Sequence, residues 1–232
     1  MVRIAIETRE AVQSNACGFH IGGGVIVTAR HVVKGNKILE IRSEYSGIGP
    51  VSATEIILAT DPDVDLALLR TDFQLNHYLT EVTYMSGPGV DIQRNADKTD
   101  YIPIGGHLND WLDDEFILSK VLVMGYPRIP LSKEPVLVVY EGEVSAIADM
   151  LGERHPYFII SPIARGGFSG GPVISEHDFL LGVVTQSFLE EDKSPETGYF
   201  SLVSVEPLLE LLATNGIRPP AIHDDIWELF TK

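Results

Sequence analysis

Cysteine is nearly absent from this chain. Of its 232 residues only Cys17 is one, so no intrachain disulfide can form and a Cys-based zinc site is excluded. Independence from an oxidising compartment follows, and a cytoplasmic location is the matching expectation. Cys17 itself reads as a small buried apolar residue in preference to a catalytic one. Positive charge is also scarce, with 17 Lys and Arg against 33 Asp and Glu and a net charge of −16. Phosphate neutralisation needs a Lys/Arg face, so nucleic acid is not an expected partner. The acidic excess reads as a solubility feature in preference to a docking surface for a basic partner.

Long apolar runs are missing too. No stretch approaches the roughly 18 apolar residues of a membrane-spanning helix, so no membrane partner is expected. The first ten residues carry Glu7 and Glu10 and lack the apolar core of a secretory leader. The histidines form neither a His-x₃-His nor a His-Glu-x-x-His pair, and Gly22-Gly23-Gly24 and Gly105-Gly106 lack the spacing of a phosphate loop. Neither a metal nor an organic cofactor is therefore expected.

Glycine (21) and proline (14) are present in numbers that imply many turns and short strands. The densest glycine cluster is Arg165-Gly166-Gly167-Phe168-Ser169-Gly170-Gly171-Pro172-Val173, with apolar runs on both sides. Glycine suits backbone conformations that other side chains forbid, and a serine in such a turn can present its hydroxyl beside several N–H groups. A Gly-rich hairpin with a chance serine is the bland alternative. Two upstream stretches weigh against it. Gly24 to Val33 is a strand ending at Thr28-Ala29-Arg30-His31, and Asp61-Pro62-Asp63-Val64-Asp65 is an acidic turn running into the apolar Leu66 to Leu69.

The order His31, Asp65, Ser169 is that of chymotrypsin, not of subtilisin or the α/β-hydrolases. Together, Thr-Ala-x-His, Asp-x-Ala-Leu-Leu and Gly-x-Ser-Gly-Gly-Pro resemble the trypsin-like serine proteases, in particular the disulfide-free HtrA-like and bacterial trypsin-like peptidases. The resemblance covers roughly residues 15 to 205, and a PDZ module is not expected in the residues that remain. It implies an all-β fold of two antiparallel six-stranded β-barrels, with the active site in the cleft between them and a C-terminal helix. Residues 1–118 are then expected to form the first barrel and 119–232 the second. The 104 positions from Asp65 to Ser169 leave room for an insertion at 72–100, as a surface loop, a lid or a partner-binding element.

By that resemblance His31, Asp65 and Ser169 form a catalytic triad. A serine hydroxyl needs a base to take its proton, and imidazole, which titrates near neutrality, can take it and return it to the leaving amine. Asp65 would orient the imidazole. The backbone N–H groups of Gly167 and Ser169 match the family's oxyanion hole. Asp61, Asp63 and His20 compete for these roles, but only Asp65 and His31 sit in the matching motifs. Phe168 departs from the digestive enzymes, whose aspartate at this position pairs with a new N-terminus, so activation by N-terminal cleavage is not expected.

Motif offset places Ile163 at the base of the primary specificity pocket. Thr185-Gln186-Ser187 corresponds to the strand that pairs with extended substrate, and Tyr199 to the opposite wall. The implied substrate is a protein or peptide with a small or medium apolar residue before the scissile bond. Two other readings stay open. One is a catalytically silent domain that binds extended peptides in the same cleft. The other is a protease held latent until an activating protein partner orders the 72–100 segment. Oligomeric state is not legible, although the resemblance allows a trimer.

Among local elements, Val136 to Tyr140 and Glu143 to Ala148 read as two strands around Glu141-Gly142. Val205 to Ala213 reads as a helix ended by Asn215-Gly216, and Asp224 as the N-cap of a short final helix.

Overall fold

A computed structural model describes residues 1–43, 50–72, 84–85, 91–92, 102, 104, 117–148, 155–161, 166–188, 199–220 and 222–231. Strands dominate it. The first group is β1 (Val2–Glu7), β2 (Gln13–His20), β3 (Val25–Ala29), β4 (Lys37–Ser43), β5 (Ala53–Leu58) and β6 (Leu66–Thr71), with the one-turn helix α1 (Arg30–Val33) after β3. These strands form one sheet in the order β4-β1-β2-β3-β6-β5. Residues 1–14, which the sequence leaves open between helix and strand, supply β1 and the start of β2.

Side chains alternate across a strand, and here both faces are used. Val2, Ile4 and Ile6 of β1 point into a cluster with Ile26, Ala29, Ile41, Ala67 and Leu69. Val25, Val27, Leu66 and Leu68 point the other way, into a second cluster shared with the rest of the molecule. That two-sided burial explains why β3 and the first four residues of β6 are uniformly apolar or small and fully buried.

Residues 84–85 and 91–92 pair as the short ladder β7 (Tyr84–Met85) and β8 (Asp91–Ile92). The remainder of the expected insertion, from 73 to 100, lies outside the described residues. The second sheet comprises β9 (Lys120–Gly125), β10 (Val138–Ala148), β11 (Tyr157–Ser161), β12 (Pro172–Ser175), β13 (Leu180–Phe188) and β14 (Tyr199–Ser204). It closes into a barrel, β10-β11-β14-β13-β12-β9.

The architecture is the expected all-β, chymotrypsin-like pair of six-stranded units with helix at the C-terminus. Closure differs between the two. The first sheet stays open, and its edge strand β4 reaches the far edge through one bridge, Ile41 to Val51, just before β5. A correction concerns β10, expected as two strands and found as one of eleven residues. Its first half pairs with β9 and its second half with β11, so Gly142 lies opposite Val121 inside a ladder and turns nothing.

Helix α2 (Val205–Thr214) runs on directly from β14 and ends where expected. Gly216 has φ +65, and the amides of Gly216 and Ile217 close back on the carbonyls of Ala213 and Leu212. Helix α3 (Asp224–Thr231) contains Asp224 as its first residue, so Asp224 is not the N-cap. The carbonyl of His223 accepts the first helical bond from Trp227, and the Asp224 carboxylate pairs with Arg218 instead. Among the described residues no helix is long and apolar enough to cross a membrane.

Candidate active site

His31 and Asp65 come together through strand register. β3 and β6 are antiparallel neighbours in which Ala29 faces Leu66, so the residues just beyond that pair, Arg30 and Asp65, meet at the sheet's end. The Arg30 N–H donates to the Asp65 carbonyl (3.2 Å). Helix α1 has no side-chain cap of its own, and the Asp65 carboxylate supplies one from across the sheet. Its Oδ1 accepts the His31 backbone N–H at 2.8 Å, and its Oδ2 lies 2.6 Å from the imidazole Nδ1. One carboxylate thus fixes both the main chain and the ring of His31. The Asp65 side chain is 15% exposed and that of His31 40%, which leaves the ring open on its far side.

Of the competing residues, Asp61 and His20 have structural tasks, and Asp63 contributes its backbone N–H to the turn. The Asp61 carboxylate accepts the Asp63 N–H within the turn, and the carbonyls of Ala59 and Asp61 accept the Arg30 guanidinium. His20 is buried, and its Nε2 accepts the Gly24 N–H.

The serine segment is not a hairpin. β11 and β12, which flank it, are not neighbours in the barrel: β11 pairs with β10 and β14, β12 with β13 and β9. Residues 166–171 therefore belong to a segment that crosses the end of the barrel, and several groups hold them. The Gly167 carbonyl accepts the Tyr126 N–H (2.8 Å) and the Cys17 thiol (2.9 Å). The Ser169 carbonyl accepts the Cys17 N–H (2.9 Å). The Gly170 and Gly171 amides donate to Val184 and Phe168. Gly167 and Gly170 have φ +99 and +80, where L side chains are strained, and a Cβ on Gly170 would sit 2.3 Å from the Cys17 carbonyl and 2.9 Å from the Ala29 N. That contact docks the serine loop against the residue that precedes α1.

Among the described residues no hydrogen bond consumes the N–H groups of Gly167 or Ser169. The Ser169 hydroxyl has a long hydrogen bond to the Thr185 carbonyl (3.4 Å), and no hydrogen bond joins it to His31. Thr185 is buried, and Gln186 and Ser187 continue β13. Between Val184 and Ser187 the pairing with β14 slips by one residue, a bulge beside the serine loop. Tyr199 begins β14 opposite Phe188. Ile163 lies outside the described residues.

Sequence reasoning missed two participants in this neighbourhood. Cys17, read as inert, touches the backbone on both sides of Phe168, and the Thr185 carbonyl, read only as substrate-binding, accepts the serine hydroxyl. A backbone acceptor and a contact across 150 positions leave no local signal.

The profile of the trypsin-like peptidase domain matches residues 16–183. A curated protein of Sinorhizobium fredii, the uncharacterized protein y4bJ, is 28% identical over 182 residues, 78% of this chain and 23% of its own length. The chain thus spans about a quarter of that relative. Among solved structures, the Rv3671c protease of M. tuberculosis in its active form is similar at TM-score 0.57 and 20% identity, covering 94% of this chain and 82% of that one. The HtrA-type protease AlgW with a tripeptide gives 0.60 and 19%, over 90% of this chain and 57% of its own. HL collagenase gives 0.63 and 16%, over 94% and 93%. At these identities the structural likeness speaks to the fold.

Proposed function

The chain belongs to the trypsin-like peptidase family, and from that membership we propose that it is a serine endopeptidase with His31, Asp65 and Ser169 as its triad. The observation that carries this reading is the Asp65 carboxylate holding His31 by main chain and ring at once. With Nδ1–H donating to Oδ2, the Nε2 lone pair is free to receive the Ser169 proton as Oγ attacks the scissile carbonyl. The imidazolium then formed faces the carboxylate at 2.6 Å. It returns the proton to the leaving amine, and water repeats the sequence on the acyl-enzyme. The amides of Gly167 and Ser169 receive the oxyanion; a donor of this kind is worth about 10²–10³ in rate.

The substrate is an extended peptide. β12 begins at Pro172, so beyond Val184 the β13 edge has no β12 partner, and Gln186 and Ser187 offer main-chain groups for strand addition. Ile163 and Tyr199 remain the proposed base and wall of the primary pocket, with a small or medium apolar residue before the cleaved bond.

One observation favours latency in the resting protein: the Ser169 hydroxyl bonds to the Thr185 carbonyl and not to His31. Engagement requires Oγ to change partner, and a protein that acts through the 72–100 segment is the proposed trigger. The test is labelling by a fluorophosphonate probe in the intact chain and in Ser169→Ala. Labelling lost in the variant supports the peptidase. Absence of labelling in folded protein removes the constitutively active enzyme and leaves the partner-dependent protease or a peptide-binding domain.

A further inference from the structure

The serine loop lacks the aspartate that would let an ion pair hold its backbone. Phe168 occupies that place and is 1% exposed. Its ring stacks on Tyr140 at 5.4 Å, and it lies where a side chain on Gly125 would be: a Cβ there would come within 2.4 Å of the ring. The next two residues after Gly125 also serve the loop. The Tyr126 N–H bonds the Gly167 carbonyl, and a Cβ on Gly167 would sit 2.3 Å from the Tyr126 carbonyl oxygen and 2.7 Å from the Pro127 Cα. The start of the second barrel thus forms a seat for residues 167 and 168.

The opposite side is held from the first sheet. Cys17 uses its N–H on the Ser169 carbonyl and its thiol on the Gly167 carbonyl. Its own carbonyl accepts the Thr28 hydroxyl at 2.7 Å, which fixes Cys17 to β3. Both grips are on carbonyls, which fixes the peptide planes 167–168 and 169–170; these flank the plane that carries the Ser169 N–H and adjoin the one that carries the Gly167 N–H.

We propose that Phe168 and Cys17 are positioning residues that set the oxyanion-binding geometry of Gly167 and Ser169 by burial and a thiol hydrogen bond, without any ion pair. The inference rests on the peptidase reading for its kinetic consequence, though not for the anchor itself. Burial pushes the Cys17 thiol up to about 12, so it stays protonated, and a donor, across the working range. Any latency then acts at the Ser169–His31 link or at the cleft and leaves the oxyanion loop set.

Substitutions that separate packing from donation test the anchor. Cys17→Ala removes the donor, and Cys17→Ser keeps one. With a chromogenic peptide ester, Cys17→Ala is expected to lower kcat by about 10- to 100-fold with KM little changed, because misplaced donors weaken transition-state binding. Cys17→Ser is expected to recover to within about fivefold of the parent, the scale of one modest hydrogen bond. Phe168→Leu keeps the site apolar and is expected to lower kcat in the same way. Equal kcat in Cys17→Ala and parent, or a loss confined to KM, overturns the proposal.

A second readout needs no activity. The single cysteine gives a single S–H stretching band in the infrared. A band displaced to the frequency of a hydrogen-bonded thiol supports the anchor, and one at the free-thiol frequency overturns it. An inert parent with a displaced band leaves the anchor standing and moves the failure to the peptidase reading or to its latency.

Discussion

The two sheets solve closure differently, and the candidate site divides along the same line. The C-terminal sheet is a sealed barrel in which every strand has two neighbours. The N-terminal sheet is open, and among the described residues one bridge, at Ile41 and Val51, joins its edges. The open sheet nevertheless holds the tightest part of the site. His31 and Asp65 leave adjacent ends of β3 and β6, so ladder register alone brings the ring to the carboxylate. The closed barrel presents Ser169 on a loop whose relation to His31 depends on docking between sheets, and there the hydrogen bond is not made. Geometry within one sheet is inherited from pairing. Geometry between sheets must be held by specific contacts, here Cys17 on Ser169 and Gly170 against Ala29.

That contrast can be broken from either side, and the intra-sheet side should show the largest effect. In Asp65→Asn an amide N–H would face Nδ1 and impose the tautomer whose Nε2 carries the proton. Fluorophosphonate labelling should fall by about 10⁴-fold, while circular dichroism stays that of the parent.

Breaking the docking contact comes next. Gly170→Ala places a methyl against the Cys17 carbonyl and the Thr28 hydroxyl at a positive φ, at an expected cost of about 2–4 kcal/mol in urea unfolding. An unchanged midpoint would mean that the sheets slide freely past one another. Thr28→Val is milder. It removes the donor to the buried Cys17 carbonyl, and about 1–2 kcal/mol should be lost by the same measurement.

The smallest effect belongs to the open edge. Arg3 and Arg42 both contact Glu40 and hold its carboxyl below the usual carboxylate range, the Arg42 hydrogen bond contributing most. A lowered folded value means stability that is present above the unfolded value near 4.5 and lost as pH falls through the folded one. Because Arg42 is exposed and Glu40 and Arg3 are only partly buried, Glu40→Gln should cost about 1 kcal/mol or less at neutral pH. That difference should vanish in acid, and a difference that grows on acidification would contradict the assignment.

Much of this was written locally. Alternation in Val2-Arg3-Ile4-Ala5-Ile6 matches one inward face, although the sequence alone left residues 1–14 undecided. Asn215-Gly216 ends α2 because glycine accepts the left-handed conformation required there. Leu66 to Leu69 reads as a short apolar strand of buried type, and the structure buries both of its faces. Gly142 misled in the other direction: a glycine between two β-prone runs signals a turn, yet a barrel strand that changes partners uses it in extended form. Asp224 looked like a cap and became an ion-pair partner because Arg218 folds back on it.

The sequence by itself determined the three motifs, their order, and the strands that carry them. Each of these is a pattern within a window of about ten residues, where periodicity and turn chemistry act. Only the tertiary structure decided that the serine loop crosses a barrel end, that Phe168 fills the space left by Gly125, and that Cys17 holds the Gly167 carbonyl. These contacts join side chains and backbone far apart along the chain, 150 positions in the last case, and no local propensity encodes such a meeting.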